Sequence, residues 1–275
     1  MDEKSKPRPS GSKLFSIHGT SPITRIDPWW SLVILVVGLA VILVMVRADP
    51  FWNILLFVRD GIVITVLLTV TSFSLILVLG LIGGLGRLSR NPFILGVATL
   101  YVEIVRGIPL LVQLIWWYFA FPVVVQEIGR GLDITFMANY RANPILIAIT
   151  GLTVCYGAYM SEIYRAGIQS IPKGQTEAAR SLGMTHFQSM RHVILPQAVR
   201  VVLPPVGNEF IALLKDSCLV SVVAVADLTR RGREFMATHF NPIEVWTMVA
   251  LLYLIMTLFS ARGISWIEKK THFER

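Results

Sequence analysis

Apolar residues gather along this chain into long uninterrupted runs instead of alternating with polar ones, the pattern of helices that meet lipid. The first run extends from Trp29 to Val46. Paired tryptophans mark one edge and Arg47-Ala48-Asp49-Pro50 the other, an interfacial belt followed by a helix stop. A second goes from about Gly61 to Gly86 and is rich in Thr65, Thr69, Thr71, Ser72 and Ser74, whose hydroxyls can bond their own helix or a neighbour. It ends at Arg87 and Arg90. The third begins near Pro92 and reaches Phe121, a loop follows from about Pro122 to Asn143, and a fourth run covers Pro144 to about Tyr164. The fifth, Val201 to about Ala226, is looser and contains Asn208, Glu209, Lys215 and Asp216. The last, Val245 to Trp266, closes on Glu268-Lys269-Lys270. The pattern predicts an all-α polytopic membrane protein with about six transmembrane helices. A polar, proline-rich arm (1–28) precedes them as a disordered cytosolic segment, and a short cytosolic tail (268–275) follows.

Composition agrees. Of 275 residues 54% are hydrophobic and 15% charged, with a mean hydropathy of +0.65, against about 25% charged in a soluble domain. A cytosolic globule is excluded. With the N-terminus inside, the cytosolic segments hold more than twice as many lysines and arginines as the outer ones, so both termini are expected in the cytosol. The net charge of +8 follows from that bias, and anionic lipid, not nucleic acid, is the partner it implies. A long polar lead and the lack of a small-x-small cleavage site make the first run a retained span and not a signal peptide. Cys155 and Cys218 both fall in apolar runs and read as buried thiols, and His186 and His192 have no partner at metal-ligand spacing.

The stretch from Ile168 to Pro205 is too polar to cross a bilayer and too helical to be a loop. Pro172 suits a first helical turn, Ala178, Ala179 and Leu182 make a narrow apolar strip, and Gly183 offers a left-handed cap. A second short helix can start at Thr185, where Gln188 completes a Thr-x-x-Gln capping box, and would end at Leu195-Pro196. Such a pair of amphipathic helices lies on the lipid surface or docks on a protein partner.

At these residues the chain resembles a family. Glu177-Ala178-Ala179, Gly183 after three residues, and Val193-Ile194-Leu195-Pro196 after nine more match the EAA-x3-G-x9-I-x-LP loop of ABC importer membrane subunits, with Val193 in place of the usual isoleucine. Glu103-Ile-Val-Arg106-Gly107-Ile-Pro109-Leu-Leu-Val-Gln113, and Asn208-Glu209-Phe210 with Lys215-Asp216-Ser217, are similar to the polar amino acid permeases of histidine, glutamine, glutamate or arginine type. The resemblance covers about Gly61 to Ile267. It implies a type I ABC importer core of five helices (57–267) with a coupling loop (168–200), and an extra N-terminal helix (29–46). It further implies the cytoplasmic membrane of a bacterium, a second permease chain that is the same or a sister, a pair of ABC ATPase subunits carrying ATP-Mg, and an extracytoplasmic amino acid binding protein. The chain has no G-x-x-x-x-G-K-[ST] phosphate loop, so it is expected to bind no cofactor and to hydrolyse no ATP itself. Glu177, Ala178, Ala179, Arg180, Gly183, Leu195 and Pro196 become the candidate ATPase-coupling residues.

Charges inside the spans are costly unless they face a partner or a wet cavity. Asn208, Glu209, Lys215 and Asp216 are therefore candidates for the substrate path, with Glu209 meeting an ammonium. Alternatively, Glu209 neutralises Lys215 across a kinked helix or a second subunit, or sits at a span end. Glu103 and Arg106, three apart near the cytosolic surface, read as architecture, paired with each other or with the coupling loop, and Gly107 to Pro109 as a kink. Trp116, Trp117 and Tyr118 form an interfacial aromatic belt. From the residues alone, an ion-coupled carrier or gated channel remains the alternative. An intramembrane enzyme lacks its catalytic groups, because the spans hold no Gly-x-Ser-x-Gly and no His-Glu-x-x-His.

Overall fold

The computed structural model describes residues 28–271, and the polar arm expected at 1–28 lies outside them apart from Pro28. Among the described residues every regular element is helical. In chain order they are α1 (Pro28–Val46), α2 (Ala48–Arg87), α3 (Pro92–Gly107), α4 (Leu110–Ile115), α5 (Phe121–Gly131) and α6 (Thr135–Ala138). They continue with α7 (Pro144–Gln169), α8 (Lys173–Ser181), α9 (His186–Ser189), α10 (Leu195–Asp216), α11 (Leu228–His239) and α12 (Pro242–Thr271). A π turn, Trp116–Ala120, joins α4 to α5, another, Met190–Ile194, joins α9 to α10, and a 3-10 turn, Ser217–Val223, follows α10.

Local sequence sets the starts. Asn91-Pro92 and Asn143-Pro144 open α3 and α7: each asparagine carboxamide oxygen accepts backbone N–H bonds of the first turn, and each proline occupies a position whose N–H has no helical partner. Among the described residues, five helices are long and apolar enough to cross a membrane: Trp29–Val46, Ala48–Arg87, Leu110–Gly131, Pro144–Gln169 and Pro242–Lys270. The run expected as a fifth span from Val201 to about Ala226 is α10 only as far as Asp216, followed by the 3-10 turn Ser217–Val223, and α10 carries Arg200, Glu209, Lys215 and Asp216 and does not reach the apolarity of the other five.

Three boundaries differ from the sequence-based expectation. First, the stop expected at Arg47 to Pro50 is present as an extended Asp49 (φ −98, ψ 120), but from Pro50 to Arg87 the chain is one helix, with no linker before Gly61. At 1.5 Å per residue that is about 60 Å, twice the hydrocarbon thickness, so the end bearing Asp49, Asn53, Arg59 and Asp60 extends beyond the apolar core. A domain boundary at 57 therefore falls inside one helix. Second, the run from Pro92 to Phe121 is broken, not kinked: Ile108 is extended (φ −109, ψ 130) because Pro109 forbids it the helical region. The helix then resumes and continues past Pro122, which is tolerated in the first turn of α5, so 122–131 is helix where a loop was expected. Third, the second coupling helix does not end at Leu195-Pro196. The π turn before α10 closes wider rings, which accommodates Pro196 without a break, and the chain passes helically into the span.

Close approach of α2 and α7 forms the centre. A Cβ on Gly84 would lie 2.9 Å from the Ser161 carbonyl, and one on Gly80 would lie 2.5 Å from the Met160 Cβ. Without side chains there the backbones approach closely, as membrane helices do through small residues. Leu68, Ile76, Leu114, Leu152, Met160 and Leu213 fill the core around this contact. A second cluster, Phe51, Ile54, Val58, Leu228, Phe235 and Met248, joins the far end of α2 to α11 and α12.

Candidate coupling hairpin and membrane path

Only Ser170 to Pro172 separate α7 from α8. Helix α8 ends in a Schellman arrangement: Gly183 takes φ +80, its N–H donates to the Arg180 carbonyl at 2.9 Å, and the Met184 N–H donates to the Ala179 carbonyl at 3.1 Å. The Thr185–Gln188 capping box then starts α9, with the Thr185 N–H donating to Gln188 Oε1 at 2.9 Å and the Gln188 N–H to Thr185 Oγ1 at 3.3 Å. The expected apolar strip is divided. Ala179 is 4% exposed and packs into this chain, while Ala178 faces solvent and Leu182 and Phe187 are 80% and 70% exposed. Glu177, Arg180, Leu195 and Pro196 are exposed as well. The hairpin thus presents two bulky apolar side chains with charged residues around them.

The predicted charges in the spans are redistributed. Glu103 and Arg106 do not pair with each other or with the coupling loop. Glu103 Oε1 lies 3.4 Å from Arg87 on α2, whereas the Arg106 guanidinium sits 5.3 Å from the Tyr159 ring centroid. Tyr159 is ten residues, about 15 Å, from the end of α7 at Gln169, which sets Arg106 that far along α7 from the hairpin. Gly107 and Pro109 bound the break after α3. Buried Gln113 satisfies the carbonyls freed there, its Nε2 donating to Val105 and Ile108 at 2.8 Å each. Trp116, Trp117 and Tyr118 fall in the π turn, and Trp117 packs on Phe121 at 4.9 Å.

Glu209 and Lys215 form no ion pair: Lys215 is exposed, and half-buried Glu209 has no hydrogen-bond partner among the described residues. Asp216 instead accepts from the Tyr156 hydroxyl on α7 at 2.7 Å. Asn208 is exposed on the same helix as Glu209, one turn after Pro204 and Pro205, which lack the donors that would meet the carbonyls of Arg200 and Val201. Tyr156 and Tyr159, which the sequence reading did not single out, connect Arg106 to Asp216 along one face of α7, their rings 6.1 Å apart.

A third group also escaped the sequence reading. Glu162 on α7 accepts from Arg87 Nη1 at 2.6 Å and from Arg165 Nε at 3.0 Å, and a second nitrogen of Arg165 reaches its other oxygen. The Arg87 side chain is 14% exposed. The four residues Arg87, Glu103, Glu162 and Arg165 therefore tie α2, α3 and α7 together just before α7 enters the hairpin. Glu162 and Arg165 at a three-residue spacing were the available signal.

Residues 76–273 match the family described as binding-protein-dependent transport system inner membrane component. The chain belongs to that family. Its fold is that of type I ABC importer permeases. A solved structure of an amino acid ABC transporter with histidines matches this inner membrane component over 83% of its length and 97% of the other chain, at 36% identity and a TM-score of 0.70. The inward-facing MetNI methionine ABC transporter shares the fold at 22% identity and a TM-score of 0.63, over 80% of this chain and 99% of that one. The glutamine transport system permease protein GlnP of Escherichia coli (strain K12) is 37% identical over 194 residues, 70% of this chain and 83% of GlnP. The L-cystine transport system permease protein TcyB of Bacillus subtilis is 37% identical over 211 residues, 74% of this chain and 84% of TcyB. The family match begins within α2, so α1 lies outside it.

Proposed function

We propose that this chain is the membrane-spanning permease of an ATP-driven importer that passes polar amino acids across the cytoplasmic membrane. The observation that carries the reading is the hairpin α8–Gly183–α9, which offers Leu182 and Phe187 on a rigid, capped scaffold three residues beyond a spanning helix. A pair of ATPase subunits holding ATP-Mg seats on that hairpin through Glu177, Ala178, Arg180 and Gly183, with Ala179 packed behind them and Leu195 and Pro196 at the foot of α10. Closure of the ATPases then moves α7 and α10 as rigid elements. Both termini are cytosolic, the body is 57–267, and the helix 29–46 is an accessory. Asn208, Glu209, Lys215 and Asp216 line the path. Exposed polar groups at membrane depth face water or another chain and not lipid, which supports a second permease chain, the same or a sister, across the path. An amino acid binding protein delivers substrate from outside, in keeping with the named specificities of the relatives. An ion-coupled carrier has no use for the hairpin.

The test is uptake of labelled glutamine and arginine by vesicles carrying the complete complex, competed with each of the other amino acids. ATP-dependent uptake blocked by polar amino acids is expected, and uptake that follows an ion gradient without ATP refutes the proposal. Gly183→Trp gives a local check. A non-glycine residue at φ +80 is strained by about 1 kcal/mol, and the indole projects where the ATPase docks. Membrane insertion should be kept and co-purification of the ATPase lost. Normal recovery and transport would make the hairpin a lipid-surface element.

A further inference from the structure

Two clefts join end to end between α2, α10 and α12. Phe73 and Leu77 of α2, Leu203 and Phe210 of α10, and Ile264 and Ile267 of α12 line the larger, of about 460 Å³. The smaller, of about 270 Å³, shares Phe210 and Ser260 with it and extends it to Val66, Leu214 and Ile255. The joined groove follows α12 for the twelve residues from Ile255 to Ile267, about 18 Å. One leaflet is half of a hydrocarbon core of about 30 Å, so the groove has the depth of a single leaflet. It opens sideways, with Phe259 and Ile267 exposed.

The walls are dry and the mouth is basic. Both hydroxyls on the walls bond their own helices, Ser260 donating to the Met256 carbonyl at 2.8 Å and Thr69 to the Thr65 carbonyl at 2.7 Å. The groove stripe of α10, Leu203, Gly207, Phe210 and Leu214, continues one turn back to Arg200. That of α12, Ser260, Gly263 and Ile267, continues one turn on to Lys270. Both bases are exposed, and neither has a carboxylate within 4.0 Å among the described residues. Lys270 rests on the Trp266 ring, its Nζ 3.9 Å from the centroid, as aromatic and basic anchors do at headgroup level.

We propose that this groove binds an anionic phospholipid, an acyl chain lying along Phe73, Phe210 and Ile264 and the phosphate held between Arg200 and Lys270. Hydrocarbon suits walls that offer no free polar group, and two unpaired bases at one end select a negative headgroup. A helix, about 10 Å across with its side chains, is too thick to enter a cleft of this volume and length. Asn208 and Glu209 fall on the opposite side of α10, so the site is separate from the proposed path. The inference rests on the proposed reading in one respect: with the termini in the cytosol, the lipid comes from the inner leaflet. Since α10 continues helically from the hairpin, an occupied groove ties the helix that the ATPases move to α2 and α12.

The experiment uses the full chain, purified in detergent with its associated subunits and incubated with equal amounts of phosphatidylglycerol and phosphatidylcholine. Native mass spectrometry counts the lipid retained. The parent should keep phosphatidylglycerol in preference to phosphatidylcholine, by roughly fivefold for each basic residue engaged. Arg200→Gln combined with Lys270→Gln should abolish the preference while some lipid of either kind is still held. These two residues lie beyond the packed walls, so their variants test the site without disturbing the fold. Gly263→Phe should lose both lipids at an unchanged melting temperature, because a Cβ there meets nothing within 4 Å and the ring fills the groove. A parent that holds both lipids alike overturns the proposal without any variant. So does a preference that survives the double change, or a Gly263→Phe chain that keeps as much lipid as the parent. Gly263→Cys chains that form disulfide-linked permease pairs in native membranes would also overturn it, by showing a second copy over the groove. No step measures transport, so loss of ATP-dependent uptake leaves the lipid site standing, and loss of lipid selectivity leaves the importer reading standing.

Discussion

Glu162→Gln is expected to uncouple transport from ATP hydrolysis and to lower the melting temperature of the complex. The carboxylate lies between Arg87 and Arg165 and accepts from both. A carboxamide can accept from one guanidinium but turns N–H donors toward the other, and Arg87, with its side chain 14% exposed, has only the distant Glu103 left at 3.4 Å. Removing one member of a largely shielded pair costs about 2 to 3 kcal/mol. That loss falls where α7 leaves α2 and α3 for the hairpin, so movement of α8 would no longer carry α2 with it. Transport per ATP hydrolysed in proteoliposomes should fall about tenfold or more, a barrier change of at least about 1.4 kcal/mol, while ATPase recovery on purification stays normal. Glu162→Asp should retain part of both. Normal transport at an unchanged melt would show that the ion cluster plays no part in transmission.

That cluster also marks what sequence reading could reach and what it could not. The spans around Ser72, Cys155 and Leu251 were legible because lipid demands long apolar runs, and the hairpin was legible because caps act locally: Gly183 and the Thr185–Gln188 box each need fewer than six neighbouring residues. Partner choice was not local. Glu103 and Arg106 have a spacing that suits a helical pair, yet Arg87, 16 residues earlier in the chain, takes Glu103, and Tyr159 takes Arg106. A three-residue spacing contributes only a few tenths of a kcal/mol, less than the packing that aims each side chain. Helix continuity failed for a related reason. Pro109 and Pro196 read alike in the sequence, but Pro109 breaks its helix and Pro196 does not, since a π turn precedes only the latter. Lys215 and Glu209 could be ruled in or out as a pair only once the turn of α10 was known.

The largest loss of stability should come from Asp227→Ala, at the opposite end of the molecule. Asp227 is fully buried and caps α11, accepting from the N–H groups of Thr229 at 3.1 Å and Arg230 at 3.0 Å and from the Tyr253 hydroxyl of α12 at 3.2 Å. The next residue, Leu228, donates its N–H to Thr65 on α2 at 3.1 Å, and a Cβ on Gly61 would lie 2.9 Å from the Asp227 carbonyl. The carboxylate thus fastens α11 to α12, at a point where the backbone of the same segment bonds and nearly touches α2. Alanine takes the acceptor from all three donors and removes the cap, a cost of about 2 to 4 kcal/mol, read as a clear fall in the melting temperature of the purified complex. Asparagine should behave differently. Burial pushes the Asp227 carboxyl above the usual carboxylate range, against the lowering by the N–H bonds of Arg230 and Thr229. A folded-state value above the unfolded one means that the fold holds the proton longer, so this group's contribution to stability is fullest at low pH and declines as pH rises past about 4. Asp227→Asn keeps an oxygen acceptor for the cap and carries no charge, so its melt should gain on the parent as pH rises through that window. Alanine and asparagine variants that melt alike, with no change in their difference from the parent across pH, would show that the capping bonds and the buried charge contribute nothing there.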